Sequence, residues 1–169
     1  MIIRPETAGD VAAIESVIRQ AFGSRNEACA EADLVDRLRS DNDLVLSLVA
    51  EQDGRIVGHV GFSRLWITLG ARRIPGVSLA PLSVMPDRQR GGIGRALVDA
   101  GHARLREAGE TIVFVLGDPD YYGRFGFSLA DAAPFECQYA GAHFQSLRLA
   151  STAPDAGAIE YAPAFNDLG

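Results

Sequence analysis

The sequence has little of what several common kinds of chemistry require. It carries two cysteines and three histidines in 169 residues. Cys29 and Cys137 lie far apart with no C-x-x-C spacing, so they read as two reduced thiols rather than a disulfide framework or a zinc site. His59, His102 and His143 are scattered, and none stands at i, i+4 from another ligand type, which argues against a metal. No apolar run approaches the ~18 residues of a membrane span. A basic surplus is missing too: the net charge of −6 disfavours a general nucleic-acid binder. That charge suits a cationic or amine substrate, although such a bias mostly serves solubility. The opening MIIRPETAGD has an acidic residue at position 6 and no apolar core. No export signal is read there, and a cytoplasmic protein is the expectation. Repeats, low-complexity segments and linkers are absent.

What is present suits one soluble domain over residues 1–169. Apolar residues make up 47% and charged residues 22% of the chain, an ordinary globular balance. A chain of this size buries about 70% of its unfolded surface, enough for a core without staples. Ile2 and Ile3 open a short strand ending near Pro5. Thr7 and Asp10 are spaced as a helix cap and its answering carboxylate. Val11, Ile14, Ile18 and Phe22 then recur at helical spacing, and Gly23 ends that helix. A second helix is expected over 27–39, with Leu34, Val35 and Leu38 as its apolar stripe.

From Leu44 the texture becomes that of strands. Asp53-Gly54 between apolar runs is a hairpin signal, and Gly70-Ala71 marks another turn. Three strands in a meander are therefore expected between positions 44 and 85. Ile93, Leu97, Gly101 and Leu105 mark a helix over 92–108. The unbroken run IVFVL then suits a strand covered on both faces. The tail reads as two loose strands, around FECQY and FQSLRLA. The order β-α-α-β-β-β-α-β-α-β-β implies an α/β fold, one mixed sheet with helices on both faces.

Between the meander and the next helix stands VMPDRQRGGIGRALVDAG. A helix N-terminus offers unpaired N–H groups and the positive end of the helix dipole. Gly91, Gly92 and Gly94 remove the Cβ atoms that would hold an anion away, while Arg88, Arg90 and Arg95 add charge at the rim. The dinucleotide fingerprint fails, because Leu97 stands where its third glycine belongs. A P-loop fails as well, for there is no Gly-Lys-Ser/Thr and no lysine near the loop. Taken alone, the glycines serve an anion or a structural turn equally well. Pro81 shifts that balance: it lies inside VSLAPLSV, and a central strand tolerates a missing N–H poorly. Pairing is expected to be interrupted there, freeing backbone groups of Leu82, Ser83 and Val84 for a ligand. Phosphates at the loop and an extended arm along the opened strand describe coenzyme A.

With these residues in place the chain resembles the GNAT superfamily of acyl-CoA-dependent N-acyltransferases. Gln89-Arg90-Gly91-Gly92-Ile93-Gly94 matches the family's Q/R-x-x-G-x-G/A element. Tyr122-Gly123-Arg124-Phe125-Gly126-Phe127 matches its Y-x-x-x-G-F element after the next strand. The resemblance covers about residues 1–150. GDPDYYGRFGF and IEYAPAF resemble more narrowly the YhbS type of N-acetyltransferase. The family's Asn-x-x-Ala segment is replaced here by Gly117-Asp118-Pro119-Asp120, so contacts made by that asparagine do not carry over.

The resemblance implies a GNAT-type fold and direct attack of a primary amine on the thioester of acetyl-CoA, with coenzyme A as product and no metal. Backbone N–H groups of Arg90, Gly91, Gly92, Ile93, Gly94 and Arg95, beside Gln89, would hold the pyrophosphate. Leu82, Ser83 and Val84 would pair with the pantetheine arm, and the N–H at Val84 would polarise the thioester carbonyl. Tyr122 would be the general acid for the departing thiolate, with Tyr121 structural. Glu27 and Glu31 are the candidate bases, against the plain reading of solvated helix carboxylates. Phe62, Trp66 and Phe125 read as core. The acceptor would be a small-molecule or peptide amine, with neither nucleic acid nor membrane as partner, and dimerisation is a family habit. Two other readings stay open: a non-catalytic acyl-CoA-binding module on the same fold, and a protein that uses the cradle for another phosphate.

Overall fold

The computed structural model describes residues 1–23 and 29–168. One eight-stranded sheet organises the chain. Its strands are β1 (Ile2–Pro5), β2 (Leu44–Gln52), β3 (Arg55–Leu69), β4 (Arg72–Val84), β5 (Ile112–Leu116), β6 (Phe135–Glu136), β7 (Phe144–Arg148) and β8 (Gly157–Tyr161). Their order is β1-β2-β3-β4-β5-β7, with β8 beside β3 and β6 beside β8. Only β4–β5 and β6–β8 are parallel; the other pairs are antiparallel. The mixed α/β sheet expected from the sequence is therefore present.

The meander forms where its turn residues demand. Asp53 and Gly54 both take positive φ, 52° and 75°, and Gln52 pairs with Arg55 across the turn. Such a two-residue loop matches the right-handed twist of its strands. β2 pairs with β3 as far as Ser63, and β8 then takes the same edge from Leu65 to Thr68. The long β3 thus stays covered along its length.

Helices α1 (Val11–Ala21), α2 (Ala30–Ser40) and α3 (Ile93–Glu107) supply the two outer layers. On one face, α3 buries Ile93, Leu97, Val98 and Leu105 against Leu48, Val60, Phe62, Val77 and Val113. On the other, Ile14 and Ile18 of α1 and Ala32 and Val35 of α2 pack over Val49. The amide of Thr7 donates to the Asp10 carboxylate at 2.7 Å ahead of α1, as the cap spacing predicts. Phe22 departs from its expected stripe: it is 44% exposed at the end of α1.

The chain after β5 differs from expectation. In place of one helix there are two single turns, α4 (Pro119–Tyr122) and α5 (Leu129–Ala132). FECQY contributes only the two residues of β6, and β8 was not foreseen. Leu116 is 53% exposed, where β5 was expected to be covered on both faces. The reason is that β5 ends at a cleft.

Candidate active site

The cleft is a consequence of β4 outrunning its partner. β4 and β5 pair only from Val77 to Leu79, opposite Val113 to Val115, whereas β4 continues to Val84 along β3. Pro81 brings no N–H, and the β3–β4 register shifts between Val60 and Phe62 beside it. Beyond the shift the amide of Met85 donates to the carbonyl of Val57 at 2.9 Å. Hydrogen-bonded and free positions alternate along an antiparallel ladder. Leu82 and Val84 therefore occupy the positions whose N–H groups point away from β3, into the opening. Ser83 takes the alternate position, and its side chain is buried opposite His59.

At one end of the opening lies a cavity of about 600 Å³. Its floor is the start of α3. Gly92 caps that helix at φ 87°, and Arg90 takes φ 65°, a pair of turned residues that aims successive N–H groups inward. The first intrahelical bond runs from the amide of Ala96 to the carbonyl of Gly92 at 3.0 Å, so the N–H groups of Ile93, Gly94 and Arg95 face out of the helix end. A Cβ on Gly94 would stand 2.7 Å from the Tyr121 hydroxyl and fill the cradle. Arg88, Arg90, Arg95 and Arg124 line the walls. Arg88 is steadied by Gln52 at 2.7 Å, and Gln89 donates to the carbonyl of Val84 at 3.1 Å, tying loop to strand. Four guanidinium groups around a helix N-terminus, with no carboxylate among the lining residues, fit a pyrophosphate.

At the other end, between α2, β4 and the C-terminal segment, lies a second cavity of about 550 Å³ that includes Glu31, Pro81, Leu82 and Tyr122. Leu82 belongs to both cavities, while Tyr121 faces the first and Tyr122 the second. Both tyrosines ride on α4, which is fixed by Pro119 at its start and by the Asp118 carboxylate accepting the Asp120 amide at 2.9 Å. The Tyr122 ring packs closely on Gly117, where a Cβ would come within 2.5 Å of a ring carbon. It also meets Phe127 edge-on at 5.8 Å and Tyr121 at 5.0 Å. Gly117 therefore has a local purpose in the segment that departs from the family pattern. Burial, with Tyr121 adding to it, pushes the Tyr122 phenol well above its ordinary pKa. It stays protonated at any working pH.

The cradle gathers Leu82, Val84, Gln89, Arg90, Gly92, Ile93, Gly94 and Arg95 as the sequence suggested. Gly91 is exposed beside it. Two cradle residues were missed: Tyr121, read as structural, and Arg124. The doubled tyrosine on a one-turn helix was the available signal, since neighbouring residues there point to different sides. Of the candidate bases, Glu31 borders the second cavity and Glu27 lies outside the described residues. Phe62 is fully buried, Phe125 is half-buried against His102, and Trp66 is half-buried beneath Arg73 at 4.0 Å. No cluster of three His, Cys, Asp or Glu side chains suited to a metal occurs among the described residues. Nor is any helix there long and apolar enough to cross a membrane.

An opened sheet edge thus joins a basic glycine cradle at one side to a largely apolar, aromatic cavity with one carboxylate among its described lining residues at the other. The chain belongs to the GNAT acetyltransferase family: a model described as "Acetyltransferase (GNAT) domain" matches residues 2–130. It is 39% identical over 171 residues to the "Uncharacterized N-acetyltransferase YhbS" of Escherichia coli K12, covering 98% of this chain and 99% of that protein. The solved structure of Escherichia coli YhbS in complex with CoA is similar with a TM-score of 0.86 at 37% identity, over 99% of this chain and 93% of that one. A GNAT family acetyltransferase from Brucella melitensis in complex with acetyl-CoA gives a TM-score of 0.80 at 39% identity, over 97% of each chain.

Proposed function

We propose that the protein, acting as one N-acetyltransferase domain, moves an acetyl group from acetyl-CoA to a primary amine by direct attack. The observation that carries this reading is the meeting of the two cavities at Leu82 and the Tyr121–Tyr122 pair. A donor held on the basic side and an amine held on the acidic side would face each other there. The cradle and its four arginines bind the pyrophosphate, and the free edge of β4 pairs with the pantetheine arm. The N–H of Val84 is directed at the thioester oxygen, where a fixed donor is worth most as negative charge develops.

The neutral amine nitrogen attacks the carbonyl carbon, the C–N bond forms, and the C–S electron pair leaves with sulfur. Tyr122 donates to the departing thiolate. Its raised pKa makes it a reluctant acid, so its largest contribution is a hydrogen bond to sulfur as charge accumulates. The surplus proton on nitrogen leaves to solvent and balances the one taken up by sulfur. Holding thioester and amine at attack distance supplies several further kcal/mol, as order-of-magnitude proximity effects do.

The test is release of free coenzyme A thiol from acetyl-CoA, in step with acetylated amine, across a panel of primary amines. Thiol release matched by product supports the reading. Tight acetyl-CoA binding with no release from any amine would instead mark a non-catalytic acyl-CoA-binding module.

A further inference from the structure

The second cavity has an unusual lining for a site that receives a cation. Glu31 is its only charged side chain among the described residues. Apart from Ser78 and the hydroxyls of three tyrosines, the rest is apolar or aromatic. Tyr139 and Tyr161 meet edge-to-face at 5.0 Å, and Tyr161 and Phe165 meet tilted at 5.1 Å. Leu34 and Phe165 close the base as part of one apolar cluster with Ala162 and Ala164. The rim is apolar as well. Phe22, Leu116 and Leu168 are 44%, 53% and 37% exposed, and all three border this cavity. Three large apolar side chains left open to water around one opening mark a surface completed by an apolar body.

We infer that the acceptor is a monoamine carried on an alkyl or aryl body, and that Glu31 draws its ammonium, which gives up a proton to water before attack, while the aromatic walls hold the rest. This rests on the acyltransferase reading above and narrows its substrate. The volume of about 550 Å³ lies within the usual range for a small-molecule site. A single carboxylate matches a single ammonium, and the faces of Tyr139 and Tyr161 add attraction for a desolvated cation. Polyamines and aminoglycosides fit badly. Each would carry further charged groups into a cavity with one carboxylate among its described lining residues, and burying such charges unpaired is costly. A hydrophilic peptide end meets the same objection.

The test uses the whole chain with saturating acetyl-CoA, whose binding is measured separately by calorimetry. kcat/KM is compared for butylamine, hexylamine, octylamine and 2-phenylethylamine against spermidine, kanamycin and a Gly-Ser peptide. Each added methylene is expected to raise kcat/KM about fourfold while the chain stays in the cavity, the effect of burying one such group. Octylamine and 2-phenylethylamine should exceed spermidine at least about tenfold on the same grounds. Glu31→Gln should raise the KM for hexylamine and leave the acetyl-CoA Kd unchanged, a split that mere misfolding does not give. A flat or falling alkyl series, or faster turnover of spermidine, kanamycin or the peptide, overturns the inference while the acyltransferase reading stands. Bound acetyl-CoA with no amine acetylated also overturns it. Absence of acetyl-CoA binding brings down both.

Discussion

The Tyr122 ring is held edge-on by Tyr121 and Phe127, and burial holds the phenol's pKa above its ordinary value. Tyr122→Phe keeps every ring contact and removes one donor. Its kcat should fall by about 10²-fold, within the usual range for a lost acid catalyst, while the acetyl-CoA Kd stays within about twofold. Stopped assays of thiol release and calorimetry separate the two. Because the phenol stays protonated, the rate should show no alkaline limb from Tyr122; the acid limb belongs to protonation of the amine.

Two buried histidines set a second expectation at this scale. The Ser47 hydroxyl donates to the Glu6 carboxylate, itself paired with Arg39 at 2.9 Å, so His59 Nε2 carries its proton toward Ser47 at 2.8 Å. Burial holds the pKa of both His59 and His102 down at about 4. The folded state therefore keeps these rings neutral, whereas the unfolded chain takes up protons near 6.5. Their contribution is fully present above about pH 6.5 and lost as pH falls toward 4, each by up to about 3 kcal/mol. Urea titrations at pH 7.5, 5.5 and 4.5 should show a falling midpoint, and His102→Phe should flatten the trend.

At the scale of elements, α3 carries the cradle and is held by residues with no exposure, such as Leu97. Leu97→Ala should cost about 2–5 kcal/mol, the usual range for a truncated core leucine, read by chemical denaturation. The periodicity that marks this helix was legible in the sequence because one face is wholly apolar. The Asp53-Gly54 hairpin was legible because its residues are required by a positive-φ turn. The cleft could be anticipated from Pro81 alone, since a missing donor must interrupt pairing somewhere. β8 escaped for a physical reason: GAIEY alternates only between half-buried and exposed positions with none buried, and it is placed by the edge of β3 that β2 vacates after Ser63. Its position is decided by tertiary pairing rather than by its own pattern. The second cavity was illegible likewise, because its walls come from the residue after α1, from α2, β4, the end of β5, α4 and the C-terminal segment, and no local spacing brings them together.

For the whole molecule, net charge and local charge point in opposite directions. The chain carries −6 overall, yet Arg88, Arg90, Arg95 and Arg124 converge on one cavity. The basic site on an acidic body focuses attraction for a polyanionic donor onto the cradle. Raising ionic strength from 0.05 to 0.5 M should weaken acetyl-CoA binding severalfold, on the order expected when a few exposed charges are screened. The chain has no lysine, so acetyl transfer to its own side-chain amines cannot be mistaken for turnover.

The central claim is that the opened strand and the glycine cradle bind a coenzyme A thioester. Thermal melts with acetyl-CoA, CoA, ATP and NAD test it most directly, run on the wild type and on Gly94→Val. At 100 times its Kd a ligand stabilises the native state by about 2.7 kcal/mol. The account predicts a shift of that size with acetyl-CoA and CoA alone, and its loss in Gly94→Val, whose side chain displaces the Tyr121 hydroxyl and fills the cradle; each shift in the variant is read against its own unliganded melt. A shift with only ATP or NAD, or with none of the four, would contradict it.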